Sequence, residues 1–160
     1  MKVSIIYYSQ TGRTKEMASV IGQGIGSIPN SEYKIMSVDC IDKEYLDDSK
    51  VVIVGTPSYY ANMCWQIKKW FDTSKDLEGK LGAPFCTAKW ETGGAGIANL
   101  NIIEHMVVKG MVVYTGGQAL GKPFAHLGAV ALMENDEESK TLFKIYGQRI
   151  AKKAHELFDI

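Results

Sequence analysis

Residues 3–8 form an apolar, β-branched run broken only by Ser4, and the run stops abruptly at Ser9, Gln10, Thr11 and Gly12. A strand with no polar alternation has to be covered on both faces, which is the condition of strands in parallel sheets flanked by helices. After Gly12 the apolar residues Met17, Val20, Ile21 and Ile25 recur at helical spacing, until Gly26 and Pro29 end the segment. A buried strand therefore passes through a tight loop straight into a helix.

The same alternation continues along the chain. Strands are predicted over residues 33–38, 51–54, 83–87 and 111–114, and helices over 62–72 and 97–108, the first with Met63, Ile67, Trp70 and Phe71 on one apolar face. The last helix starts near Asp136. There Asn135, Asp136, Glu137 and Glu138 place negative charge at its N-terminus, while Arg149, Lys152 and Lys153 lie toward its C-terminus. Strands alternating with helices, joined by right-handed crossovers, define an α/β class with a parallel sheet covered on both sides. With 160 residues and no linker, repeat or low-complexity stretch, the expectation is one domain over residues 1–160.

Eighteen basic residues balance eighteen acidic ones, so no net field draws nucleic acid or an anionic membrane, and neither is expected as a partner. Cys40, Cys64 and Cys86 are odd in number and far apart. They suggest neither a disulfide framework nor a metal site, and read as small core residues of a reduced compartment. Residues 1–8 lack the apolar region and cleavage site of a signal peptide, and no stretch approaches the ~20 apolar residues that span a bilayer. The expected location is cytoplasmic.

In a sheet of this kind ligands sit beyond the carboxyl ends of the strands, at the switch point of the topology. Three loops there have unusual sequences. Ser9, Gln10, Thr11, Gly12, Arg13 and Thr14 lie between a buried strand and a helix N-terminus, where free N–H groups, the helix dipole and three hydroxyls suit a phosphate. An ordinary N-cap turn would use the same residue types. Thr56, Pro57, Ser58, Tyr59, Tyr60, Ala61 and Asn62 offer two aromatics beside polar groups, where a planar ring could lie. Thr87, Ala88, Lys89, Trp90, Glu91, Thr92, Gly93 and Gly94 add free backbone N–H groups and a stacking face, although Trp90 could equally pack against a neighbour. Gly116, Gly121 and Lys122 approximate a nucleotide-binding loop, but Pro123 stands where a Ser or Thr should hold magnesium, so this segment reads as a surface loop.

Together the three loops resemble the flavodoxin-like family, a three-layer α/β sandwich with a five-stranded parallel sheet in the order 2-1-3-4-5. Ser9 to Thr14 resembles its Ser/Thr-x-Thr-Gly-x-Thr phosphate loop. The stretch from Gly55 to Met63 is similar to a segment bordering the isoalloxazine ring in NAD(P)H:quinone oxidoreductases of the tryptophan repressor-binding protein type. The resemblance implies flavin mononucleotide (FMN) as cofactor, with Ser9, Thr11, Gly12, Arg13 and Thr14 on its phosphate and residues 57–62 and 87–94 around its ring. It also implies NAD(P)H as electron donor, a quinone or redox proteins as acceptors, and a homo-oligomer. The chain departs from those reductases in carrying Thr92 where they have a histidine, and Lys89 and Trp90 where they have small residues. His126, in the loop after the fifth strand, is a candidate proton donor or a plain surface histidine. Two functions are expected from this pattern: an FMN-dependent NAD(P)H:acceptor oxidoreductase, or a flavodoxin carrying single electrons between proteins.

Overall fold

The computed structural model describes residues 1–133 and 136–159. Its elements run β1 (Lys2–Tyr7), α1 (Arg13–Gly26), β2 (Glu32–Ser37), α2 (Lys43–Asp48), β3 (Val51–Tyr59), β4 (Asn62–Met63), α3 (Trp65–Thr73), β5 (Leu81–Ala88), α4 (Ala95–Val108), β6 (Val112–Val113), β7 (Ala129–Leu132) and α5 (Asp136–Phe158). Strands β2, β1, β3 and β5 lie side by side and parallel, and both β6 and β7 pair parallel with the free edge of β5. Counting β6 and β7 as one interrupted strand, this is the expected 2-1-3-4-5 order.

The lack of polar alternation in the strands has the consequence argued from sequence. Val3, Ile5 and Tyr7 of β1, with Val51 and Ile53 of β3, pack against Met17, Ile21 and Ile25 of α1 and Phe143, Tyr146 and Ile150 of α5. Ile6, Val52 and Val54 point to the opposite layer and meet Leu46 of α2, Ile67 and Phe71 of α3, and Ile102 and Met106 of α4. Successive strand residues thus serve two cores, and the sheet becomes the middle layer. The polar exception, Ser4, is paid for by a 2.8 Å hydroxyl contact with Ser49.

The structure corrects several of these expectations. The strand expected over residues 51–54 continues to Tyr59, because residues 55–57 go on pairing with β5 and residues 58 and 59 gain partners in β4. The helix expected from residue 62 begins at Trp65: Asn62 and Met63 belong to β4, and the Cys64 N–H donates to Thr56 Oγ1 at 2.9 Å instead of opening another turn. The fifth strand is split. Val112–Val113 pairs with the start of β5 and Ala129–Leu132 with its end, and residues 114–128 leave the sheet edge in between. Helix α2 was not anticipated; Asp42 caps it by accepting from the Tyr45 N–H at 3.0 Å.

The segment from Gly116 to Pro123 lies in the excursion between β6 and β7, as a loop. Arg149 of α5 holds it down by donating to the carbonyls of Pro123 at 2.7 Å and of Leu120 and Gly121 at 3.1 Å. Cys64 and Cys86 are buried, whereas Cys40 is exposed in the turn after β2, contrary to the expectation of a core position. At α5 the acidic first turn is Asp136, Glu137 and Glu138; Asn135 falls outside the described residues. Among the described residues no helix is long and apolar enough to cross a membrane.

Candidate functional site

The loop after β1 turns into α1 through Gly12, whose φ of 98° lies in the left-handed region. A Cβ built there would meet nothing within 4 Å, so that side of the loop is open. No side chain caps the helix, which leaves its first-turn N–H groups, without partners inside the helix, at the positive end of the dipole. Ser9 stiffens the turn by accepting the Gly12 N–H on its hydroxyl at 3.0 Å.

Thr14 and Arg13 go separate ways. Thr14 is buried, and its hydroxyl lies 2.8 Å from that of Thr87 at the end of β5, joining the first loop to the third. The Arg13 guanidinium turns toward the end of β7 and the start of α5, bonding Asp136 and Glu16 and donating to the Leu132 carbonyl at 3.2 Å. Lys140 bonds the same Asp136 carboxylate and, with Arg13, holds it below the usual carboxylate range. The Arg13 side chain thus secures the start of α5 through its terminal nitrogens, while its buried Nε–H is left without a partner.

Beyond Thr56 the chain makes a tight hairpin. Tyr60 and Ala61, with φ of 52° and 58°, form its two-residue turn, and Ser58 and Tyr59 pair with Met63 and Asn62. Two side-chain bonds tie this hairpin to the neighbouring loops. The Ser58 hydroxyl donates to the Gly93 carbonyl at 2.7 Å, and the Tyr59 hydroxyl donates to Gln10 Oε1 at 2.7 Å. Partial burial pushes the Tyr59 phenol above its ordinary value, with Tyr8 and Cys64 adding to the effect, so it stays a neutral donor. Gly94 completes the junction, since a Cβ there would lie 2.3 Å from that of Ala61.

The three loops enclose a cleft of about 220 Å³ at the carboxyl ends of β1, β3 and β5. Gln10, Thr11, Arg13, Thr14, Pro57, Ser58, Tyr59, Thr87, Ala88 and Lys89 line it. Thr56, Gly93 and Gly94 stand behind the lining as supports, and Tyr60, Asn62 and Thr92 are exposed beside it. Trp90 is 58% exposed, with the Lys89 ammonium 5.0 Å from its ring centroid, so it is a rim residue and not core packing. His126 lies outside the lining. It is exposed beside Phe124 and precedes β7, whose first residue is level with Phe85 in the middle of β5.

Met133 also lines the cleft and was missed from sequence. It follows β7, and the signal that could have found it was the unassigned apolar run at residues 129–133. A wider hollow of about 700 Å³ lies between residues 113–120 and α5, at the end of β6 and away from the carboxyl ends of β1, β3 and β5.

A parallel sheet in this order, with an open helix N-terminus at its switch point and aromatic loops beside it, defines a flavodoxin-like protein. No family model matches the chain. It is 48% identical over 160 residues to a flavodoxin of Clostridium saccharobutylicum, covering 99% of this chain and 100% of the relative. The chain belongs to the flavodoxin family. It is also 26% identical over 164 residues to an NAD(P)H dehydrogenase (quinone) of Solidesulfovibrio magneticus, covering 84% of this chain and 78% of the relative. Among solved structures, the fold matches that of a WrbA-like flavodoxin from Agrobacterium tumefaciens with a TM-score of 0.80 at 20% identity, over 97% of this chain and 98% of the other.

Proposed function

We propose that this chain binds FMN in the cleft and works as a flavodoxin-type electron carrier between redox proteins. The observation that carries the reading is the pairing of an uncapped α1 N-terminus, open above Gly12, with a ring-sized cleft walled by the two hydrogen-bonded aromatic loops. The residues present fit the cofactor. Thr11 and the first-turn N–H groups of α1 suit its phosphate, whereas Pro57, Tyr59, Ala88 and Met133 supply surface for its ring. When bound, the flavin supplies the electron chemistry. The chain's own residues hold and orient it: Ser58 and Tyr59 keep the ring walls in register through Gly93 and Gln10, and the Thr14–Thr87 contact fixes the phosphate loop against β5. The 48% identity to a flavodoxin of matching length supports the carrier role.

A second reading, an NAD(P)H:quinone oxidoreductase, is favoured by the segment from Gly55 to Met63 and by the likeness to the quinone dehydrogenase. It lacks the histidine those reductases carry, Thr92 standing exposed in that place. Anaerobic titration of the flavin-loaded protein separates the two. A carrier is reduced by dithionite in two resolved one-electron steps and ignores NADPH; rapid reduction by NADPH followed by reoxidation with a benzoquinone identifies the reductase.

The phosphate assignment is tested with Thr11→Ala. A hydrogen bond to a charged group contributes about 1.5–3 kcal/mol, so FMN affinity falls roughly 10–100-fold, while riboflavin, which has no phosphate, binds as before. Equal losses for both ligands, or none for either, would remove Thr11 from the phosphate site.

A further inference from the structure

Two basic side chains line the cleft, Arg13 and Lys89, and no aspartate or glutamate does so among the described residues. The two cations differ in how they are engaged. Arg13 is neutralised by Asp136 and Glu16 and anchored on the Leu132 carbonyl. Lys89 has no carboxylate within ion-pair distance among the described residues, and its ammonium rests over the face of Trp90. An aromatic face attracts a cation without cancelling its charge, so the full positive charge remains at the mouth of the cleft.

The position of that charge is set by the backbone. Lys89 is the first residue after β5, whose last residue, Ala88, is buried and paired with Leu132 of β7. The strand therefore delivers the lysine to the mouth of the cleft, next to Ala88, and Trp90 limits where its side chain swings. A site that receives electrons accumulates negative charge, and an uncompensated cation at its edge favours the reduced form by Coulomb attraction.

We infer that Lys89 sets the charge environment of the ring site, binding the reduced flavin more tightly than the oxidised one and so raising the reduction potential. This rests on the proposal that the cleft holds FMN. Lys89 acts here as an electrostatic neighbour of the cofactor, and nothing in the inference requires it to transfer a proton.

The test compares the flavin-loaded wild type with Lys89→Gln and Lys89→Arg, by equilibrium titration with dithionite against a reference dye and by the affinity of each apoprotein for oxidised FMN. A neutral residue weakens reduced FMN about tenfold more than it weakens oxidised FMN, which lowers a two-electron potential by about 30 mV. Lys89→Arg keeps the wild-type potential, and raising the salt concentration shrinks the gap between wild type and Lys89→Gln. Equal potentials in all three proteins would overturn the inference while leaving FMN binding intact. A wild-type protein that takes up no FMN on reconstitution would overturn the cofactor proposal, and the inference with it.

Discussion

Replacing Gly94 by alanine probes the junction that closes the site. The new Cβ would lie 2.3 Å from the Ala61 Cβ and 2.6 Å from its Cα, and residue 94 has a φ of 77°. Holding an L-residue in the left-handed region costs roughly 1–2 kcal/mol, and forcing an extra methyl into a filled contact costs about 1–3 kcal/mol. Alanine also restricts the unfolded chain, which returns about 0.4–1 kcal/mol. The net loss is therefore roughly 1–5 kcal/mol, read by urea unfolding of the apoprotein. Because the clash pushes on the Tyr60–Ala61 turn, FMN affinity falls with stability. Ala61→Gly isolates the contact. It removes one of the two clashing atoms and relieves a φ of 58° at a non-glycine residue, so alone it is neutral to mildly stabilising. In the Gly94→Ala background it recovers about 1 kcal/mol more than it gains by itself. Strict additivity of the two changes, or a Gly94→Ala protein as stable as wild type, would refute the packing argument.

Two further outcomes follow from the supports around the site. Thr56→Val keeps the shape of a buried residue but deprives the Cys64 N–H of its acceptor, so urea unfolding should show a loss of about 1–3 kcal/mol. Asp136 is bonded by Lys140 and Arg13, which hold its carboxyl below the ordinary value. Its contribution is complete above that ordinary value and disappears as pH falls through the lower folded value. Asp136→Asn should therefore be less stable than wild type near neutrality and converge with it at the acid end of a pH series of unfolding curves; a gap that widens toward low pH would contradict the ion-pair assignment.

What could be read along the chain was whatever depended on near neighbours. The apolar runs marked β1, β2, β3 and β5 because period and β-branching are local properties, and Gly12 with its flanking hydroxyls marked an anion loop because a helix N-terminus carries its unpaired donors wherever it folds. The split fifth strand was not legible, since Val112–Val113 and Ala129–Leu132 become one sheet edge only by pairing with opposite ends of β5. Met133 entered the cleft by the same route.

The opposite fates of Arg13 and Lys89 mark the boundary most clearly. In the sequence both were basic residues of candidate cofactor loops, and the three loops with their residue types were set down by local chemistry alone. Which charge stays active was decided by tertiary structure: β7 and α5 bring Leu132 and Asp136 against Arg13, across more than a hundred residues of chain, while Lys89 rests over the face of Trp90 with no carboxylate at ion-pair distance among the described residues. A partner so distant in sequence leaves no local pattern, because it is selected by how the layers pack.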